Sequence, residues 1–116
     1  MRRLTPPELQ ARAAALRALV SPCRLCPRQC GARRDAGERG LCGLDAGLRV
    51  YCCNLHHGEE PPLSGTRGSG TVFFSGCNLR CVFCQNYGFS QLGNGAAMTP
   101  DALAQHMLQL QHRGAH

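Results

Sequence analysis

The sequence predicts an α/β fold in which a cysteine-rich segment precedes the first strand–loop–helix unit of a parallel sheet. Thr71–Phe74 is a short apolar run bounded by glycines, which is typical of a strand buried on both faces. A long loop over residues 76–95 follows this strand. A helix then begins at Thr99-Pro100-Asp101, with a capping residue followed by proline at the first helical position. Nine cysteines among 116 residues mark the chain as a binder of metal or a redox protein.

The two predicted helices follow from their capping residues. Thr5-Pro6-Pro7-Glu8 has the pattern of a capping box, and the Ala/Leu-rich run Leu9–Val20 predicts an amphipathic helix that ends before Ser21-Pro22. The helix after Thr99 should end near Gly114. Its predicted apolar stripe consists of Leu103, Met107 and Leu110.

The predicted organisation has three parts: an N-terminal helix (1–21), a cysteine-rich metal module and loop (22–69), and the start of a barrel (70–116). Leu48–Cys53 alternates enough to be a short strand. A single parallel strand with one helix cannot satisfy its edges, and an α/β barrel needs about 200 residues or more. We therefore expect the chain to be the N-terminal part of a larger protein.

Composition favours a cytoplasmic protein. Charged residues interrupt the apolar residues near the N-terminus, so we expect no secretory signal, and no stretch has transmembrane length. All 13 basic residues are arginine and the net charge is +6. We interpret the charge as a solvated basic face and expect neither a membrane nor a nucleic-acid partner. The loose arginine cluster comprises Arg24, Arg28, Arg33, Arg34 and Arg39.

The second cysteine group, Cys77, Cys81 and Cys84, has the spacing C-x3-C-x2-C. Three closely spaced thiolates can hold three irons of a 4Fe–4S cluster and leave the fourth iron without a protein ligand. An open coordination position is where a metal centre binds its substrate. The loop follows the carboxyl end of the predicted strand, which is the catalytic edge of α/β barrels.

The residues around this group resemble a known family. Phe83 stands immediately before the third cysteine, and the whole string Gly70–Asn86 is similar to the radical S-adenosylmethionine (SAM) superfamily. Its branch related to pyruvate formate-lyase activating enzymes is the most similar. The resemblance extends to Cys26–Cys30 and to His57–Pro61.

The resemblance implies an α/β fold that is part of a radical SAM (β/α) partial barrel, and an oxidoreductase-type enzyme. The open iron would chelate SAM. One electron would then cleave SAM to a 5′-deoxyadenosyl radical, and a protein such as flavodoxin or ferredoxin would donate this electron. The radical would abstract hydrogen from a protein or small molecule. Phe83 would lie beside the adenine, and Gln85 and Asn86 would position the cofactor. Kinship alone suggests activation of a glycyl-radical enzyme. The family's glycine-rich SAM-binding motif lies on the next strand, so activity is expected of the larger protein.

The first cysteine group, Cys23, Cys26, Cys30 and Cys42, supplies four thiolates, a full set for a closed tetrahedral site. Spacing alone does not choose between zinc and an auxiliary iron–sulfur cluster. Either would staple a segment too polar to fold unaided. The alternative function is a basic zinc-binding module that contacts nucleic acid, with zinc in both groups.

Two further sets of residues have open interpretations. Cys52 and Cys53 are adjacent in a predicted strand, so we expect one buried and one half-exposed thiol and no shared site. The other set could bind metal, transfer protons or belong to a solvated loop, and the resemblance favours His57 and Glu59 near the active site. This set comprises His56, His57, Glu59 and Glu60.

Overall fold

A computed structural model of the chain describes residues 3–115. In chain order these residues form α1 (Pro6–Arg17), a single 3₁₀ turn (Arg34–Ala36), β1 (Leu48–His56), α2 (Pro61–Ser64), β2 (Ser69–Phe74), α3 (Tyr87–Ser90), β3 (Ala96–Met98) and α4 (Pro100–His112). They divide into two compact units. The first runs up to Ala46 and includes Cys77–Leu79, and the second comprises Gly47–Gly76 and the chain from Arg80 onward.

Helix α1 belongs to the first unit and begins as predicted. The carboxylate of Glu8 accepts a hydrogen bond of 2.8 Å from the backbone N–H of Thr5, which completes the capping box. However, α1 buries none of its side chains, and Leu16 is largely exposed. The prediction of an amphipathic helix is therefore wrong. Ala13–Ala15 spreads small apolar side chains around the helix, so no single stripe forms.

The cysteine-rich part of the first unit is irregular, as the sequence predicts, apart from one 3₁₀ turn. Two backbone hydrogen bonds fold it back on itself. Cys23 donates to the carbonyl of Ala32 at 3.0 Å, and Gly31 donates to the carbonyl of Cys23 at 3.1 Å. Cys23 and Ala32 are both buried. They are the apolar centre of a segment that has little other core.

The second unit contains a three-stranded antiparallel sheet with the order β2-β1-β3. Val50 pairs with Phe74 of β2 on one side and with Ala96 of β3 on the other. The predicted strands are confirmed, although β1 extends to His56, and β3 is an element that the sequence did not predict. The expectation that β2 is buried on both faces is wrong, because none of its six residues is buried. Among the described strands β2 pairs with β1 alone, as an edge strand, and no two of those strands are parallel.

Helix α4 packs on β1 and β2 and completes the small core of the second unit. The hydroxyl of Thr99 accepts a hydrogen bond of 3.2 Å from the N–H of Ala102, which confirms the predicted N-cap. Of the predicted apolar stripe, Leu110 is buried, whereas the side chain of Met107 is exposed. The reason is that the C-terminal end of α4 is the part that contacts β2. There the backbone at Gly70 lies against Leu110. Among residues 3–115, no helix has the length and apolar character needed to cross a membrane.

Candidate metal centres

A buried serine joins the two ends of the loop that carries the second cysteine group. Ser75 is 1% exposed, its N–H donates to the carbonyl of Arg49 at 3.1 Å, and its hydroxyl donates to the carbonyl of Asn94 at 2.8 Å. Gly95 has no room for a side chain, because a Cβ atom would contact the Ser75 hydroxyl and lie 3.0 Å from the Val50 carbonyl oxygen. We call Ser75, Asn94 and Gly95 the loop frame.

Aromatic side chains hold the end of this loop against the sheet. The ring of Phe89, in α3, stacks on the ring of Tyr51, with 4.8 Å between the ring centroids. It also makes a T-shaped contact with the ring of Phe73, with 5.4 Å between the centroids. Tyr51 is the extra residue of a bulge in β1, between Val50 and Cys52. The carbonyl of Phe89 also accepts a hydrogen bond of 2.9 Å from Gly76, at the start of the loop. Sequence reasoning missed this anchor, because neither the bulge nor α3 has a clear local signal.

Two of the predicted cluster ligands lie in the second unit beside an open cavity of about 420 Å³. The thiol of Cys84 lies 3.2 Å from the buried Ser90 hydroxyl, and the side chain of Gln91 donates to the carbonyl of Cys81 at 2.6 Å. The ring of Phe83 is 86% exposed. The residues that line the cavity are Cys81, Phe83, Cys84, Gln85 and Asn86.

Cys77, the remaining predicted cluster ligand, lies in the first unit. Its sulfur accepts a hydrogen bond of 3.4 Å from the N–H of Leu79. The carbonyl of the neighbouring Asn78 accepts a hydrogen bond of 3.1 Å from Nε of Arg28, which lies between Cys26 and Cys30 in the chain. The backbone N–H of Arg28 and the Asn78 side chain both donate to the Cys26 sulfur, and these bonds lower the pKa of that thiol.

Three cysteines of the first group, Cys23, Cys30 and Cys42, interact with the guanidinium of Arg34. This side chain is 7% exposed; its Nη2 lies 3.2 Å from the Cys42 sulfur and 3.9 Å from the Cys30 sulfur, and its Nη1 donates to the carbonyl of Leu44. Burial would lower the pKa of Arg34, but hydrogen bonds with Cys23 and Cys42 outweigh it and raise the pKa. Arg34 is therefore an exception to the predicted solvated basic face. Nothing in its sequence context separates it from the other arginines of the loose cluster.

The donor chemistry of both cysteine groups fits metal binding. All nine cysteines are free, and backbone N–H groups donate to the sulfurs of Cys26, Cys30 and Cys77. Such hydrogen bonds to sulfur are a common feature of iron–sulfur and zinc sites. Within the part of the chain that the structure describes, no three side chains of His, Cys, Asp or Glu stand close enough to hold an ion in common.

The histidine and glutamate set does not form one compact site. His56 Nε2 lies 3.8 Å from Glu59 Oε1, and both side chains are partly exposed. His57 instead packs against the backbone at Gly68, where a Cβ atom would be 2.9 Å from its ring. Among the described residues, this set does not form a group of three ligands that could hold a metal ion. A role for His57 and Glu59 near an active site stays a prediction.

The adjacent cysteines of β1 differ from the prediction of one buried and one half-exposed thiol. Cys52 and Cys53 are both partly buried, opposite Phe73 and Val72 of β2. Burial raises the pKa of the Cys53 thiol, and the neighbouring Cys52 adds to the effect. Neither face of the sheet buries a thiol completely at this point.

The described residues define a small cysteine-rich α/β protein with two groups of thiol donors. No family model matches the chain, and no solved structure matches it. A protein of Methanocaldococcus jannaschii, described as uncharacterized, is 42% identical over 71 residues. The match covers 60% of this chain and 19% of the relative. The chain thus spans about a fifth of the length of that relative.

Proposed function

We propose that the chain carries the cluster site of a radical SAM enzyme, with Cys77, Cys81 and Cys84 as the ligands of a 4Fe–4S cluster. The observation that supports the proposal is the C-x3-C-x2-C spacing directly after a strand, with Phe83 before the third cysteine. Three thiolates leave one iron open to bind SAM. The same spacing within a zinc knuckle would more often include a fourth ligand.

The cavity beside the loop supports a small-molecule site. It is an open depression of about 420 Å³ at the surface of the loop. The exposed ring of Phe83 offers a face on which an adenine can stack. The side-chain amides of Gln85 and Asn86 offer hydrogen-bond donors and acceptors at the same cavity. The five lining residues include every residue that sequence reasoning assigned to SAM.

A cluster held by Cys77, Cys81 and Cys84 would supply the one-electron chemistry that cleaves SAM reductively for hydrogen abstraction from a substrate. The contribution of this chain is to hold and orient. The N–H of Leu79 offsets negative charge on the Cys77 sulfur, and Gln91 fixes the backbone at Cys81. The loop frame and the Phe89 anchor keep the ends of the loop in place.

The remaining parts of the proposal concern the whole protein. The strand, loop and α4 belong to a (β/α) partial barrel, and the electron comes from a donor such as flavodoxin or ferredoxin in the cytoplasm. The first cysteine group holds zinc or an auxiliary iron–sulfur cluster. The substrate is a protein or a small molecule, and activation of a glycyl-radical enzyme is one case of this chemistry.

Anaerobic reconstitution with iron and sulfide tests the proposal. We expect a brown protein whose reduced form has an electron paramagnetic resonance (EPR) signal that changes when SAM is added. Cys81→Ala should remove this signal and leave metal in the first group. Cys52→Ala, a cysteine outside both groups, is the matched control and should leave the signal intact. A colourless product with zinc as its sole metal would rule out the enzyme and favour the zinc-binding module.

A further inference from the structure

We propose that Arg34 is the counter-charge and positioning residue of an anionic metal centre in the first cysteine group. The ligands of this centre are the four thiolates of the group, Cys23, Cys26, Cys30 and Cys42. The proposal rests on metal binding by the first group, and it does not depend on a cluster at the second group.

The burial of Arg34 requires a negative charge nearby. Transfer of a guanidinium out of water is strongly unfavourable unless an anion compensates it. The Arg34 guanidinium contacts cysteine sulfurs, with Nη2 at 3.2 Å from Cys42 and 3.9 Å from Cys30. Two acidic side chains close to it in sequence are engaged elsewhere, since Asp35 accepts a hydrogen bond from Ser21 and Glu38 pairs with Arg33.

Cysteine sulfurs are the groups that can supply this charge. Neutral thiols cannot compensate a buried cation, and neither can a disulfide, which carries no charge. Four thiolates around a divalent ion, or around an oxidised 4Fe–4S cluster, have a net charge of two minus. Arg34 therefore matches a metal-loaded group and does not match an empty, protonated one.

The local geometry brings the guanidinium against the sulfurs. A Cβ atom at Gly40 would lie 2.5 Å from Arg34 Nη2 and 2.8 Å from the Cys30 sulfur, so only glycine permits this approach. The Nη2 atom lies 3.2 Å from the Cys42 sulfur. Arg34 Nε is buried and has no hydrogen-bond partner in the described part of the chain. This N–H remains for an acceptor, and a metal-bound sulfur would supply one.

Metal titration of the full, reduced, metal-free chain tests the proposal. One arm uses zinc alone, and the other uses ferrous iron with sulfide. Metal content and competition with a chelator give the affinity, and the metal that Cys42→Ser loses is assigned to the first group. Arg34→Gln should lower the affinity of this group about 10- to 100-fold, the usual effect of removing an outer hydrogen-bond partner. Arg34→Lys keeps the charge without the planar fork and should lose less.

Arg33→Gln is the matched control, because Arg33 is adjacent in sequence and its side chain is 78% exposed. It should bind metal like the unaltered chain. Gly40→Ala provides a second test that keeps the arginine, and it should weaken binding by displacing the guanidinium. Circular dichroism at saturating metal identifies any variant that fails to fold, and the affinities are then compared among the variants that do fold.

Loading of the first group in either arm, weakened by Arg34→Gln, supports the proposal, and the arm that loads identifies the metal. The proposal is overturned if Arg34→Gln binds as tightly as the unaltered chain, or if neither arm loads the first group. Failure of the radical SAM proposal gives a different pattern. In that case the SAM-sensitive EPR signal is missing while metal in the first group still depends on Arg34.

Discussion

Replacing Gly95 by alanine should break the loop frame. The new Cβ atom would lie 3.0 Å from the carbonyl oxygen of Val50 and would contact the Ser75 hydroxyl. Val50 cannot retreat, because it is buried and pairs with strands on both of its sides. Ser75 would have to move, and its hydrogen bond of 2.8 Å to the Asn94 carbonyl would be lost.

The size of the effect follows from two contributions. Overpacking of a well-filled site costs about 1–3 kcal/mol. A buried polar group left without its partner costs about 1–3 kcal/mol more. We therefore expect Gly95→Ala to lower the free energy of unfolding by about 2–6 kcal/mol. Because small domains have about 5–15 kcal/mol in total, such a loss is large.

Urea unfolding of the reduced, metal-free chain measures this loss. Gly88→Ala is the matched control in the same loop, since its Cβ would meet only Asn94 Nδ2, at an ordinary 3.5 Å. Its free energy of unfolding should stay within about 1 kcal/mol of the original. Hydrogen exchange at Ser75 and Gly76 should accelerate in Gly95→Ala alone. Equal stability of the two variants would contradict the role of the loop frame.

Two other predictions concern α4 and β1. Thr99→Ala removes the hydroxyl that accepts the hydrogen bond from the Ala102 N–H. It should lower the free energy of unfolding by about 1 kcal/mol and reduce the helix signal in circular dichroism. An unchanged urea midpoint would contradict the role of this cap. The raised pKa of Cys53 means that folding favours the neutral thiol. The stability that this neutral thiol contributes to the folded state is complete below the ordinary pKa of 9.0 and is lost as the pH rises above that value. The urea midpoint should therefore fall less between neutral and strongly alkaline pH in Cys53→Ala than in the unaltered chain, and identical pH profiles would contradict this assignment.

The sequence predicted the starts of the two long helices correctly, because helix starts have local sequence signals. The capping box at Thr5 and the N-cap at Thr99 both form, because a cap depends on residues within one helical turn. The environments of those elements were predicted less well. Helix α1 has no buried face, and β2 is an edge strand, since burial depends on which distant segments pack against an element. The three-residue β3 gave too short a pattern to distinguish from a loop.

The donors of the two cysteine groups and their spacing are properties of the covalent chain. Thiol identity and the C-x3-C-x2-C interval support the cluster proposal without any coordinates. The burial of Arg34, one of 13 arginines, against cysteine sulfurs is visible only in the folded protein. The same holds for Ser75, which closes the loop frame through Asn94. Burial and charge pairing depend on contacts between segments that are distant in the sequence. Such contacts produce no periodic pattern in the sequence, so the sequence alone does not predict them.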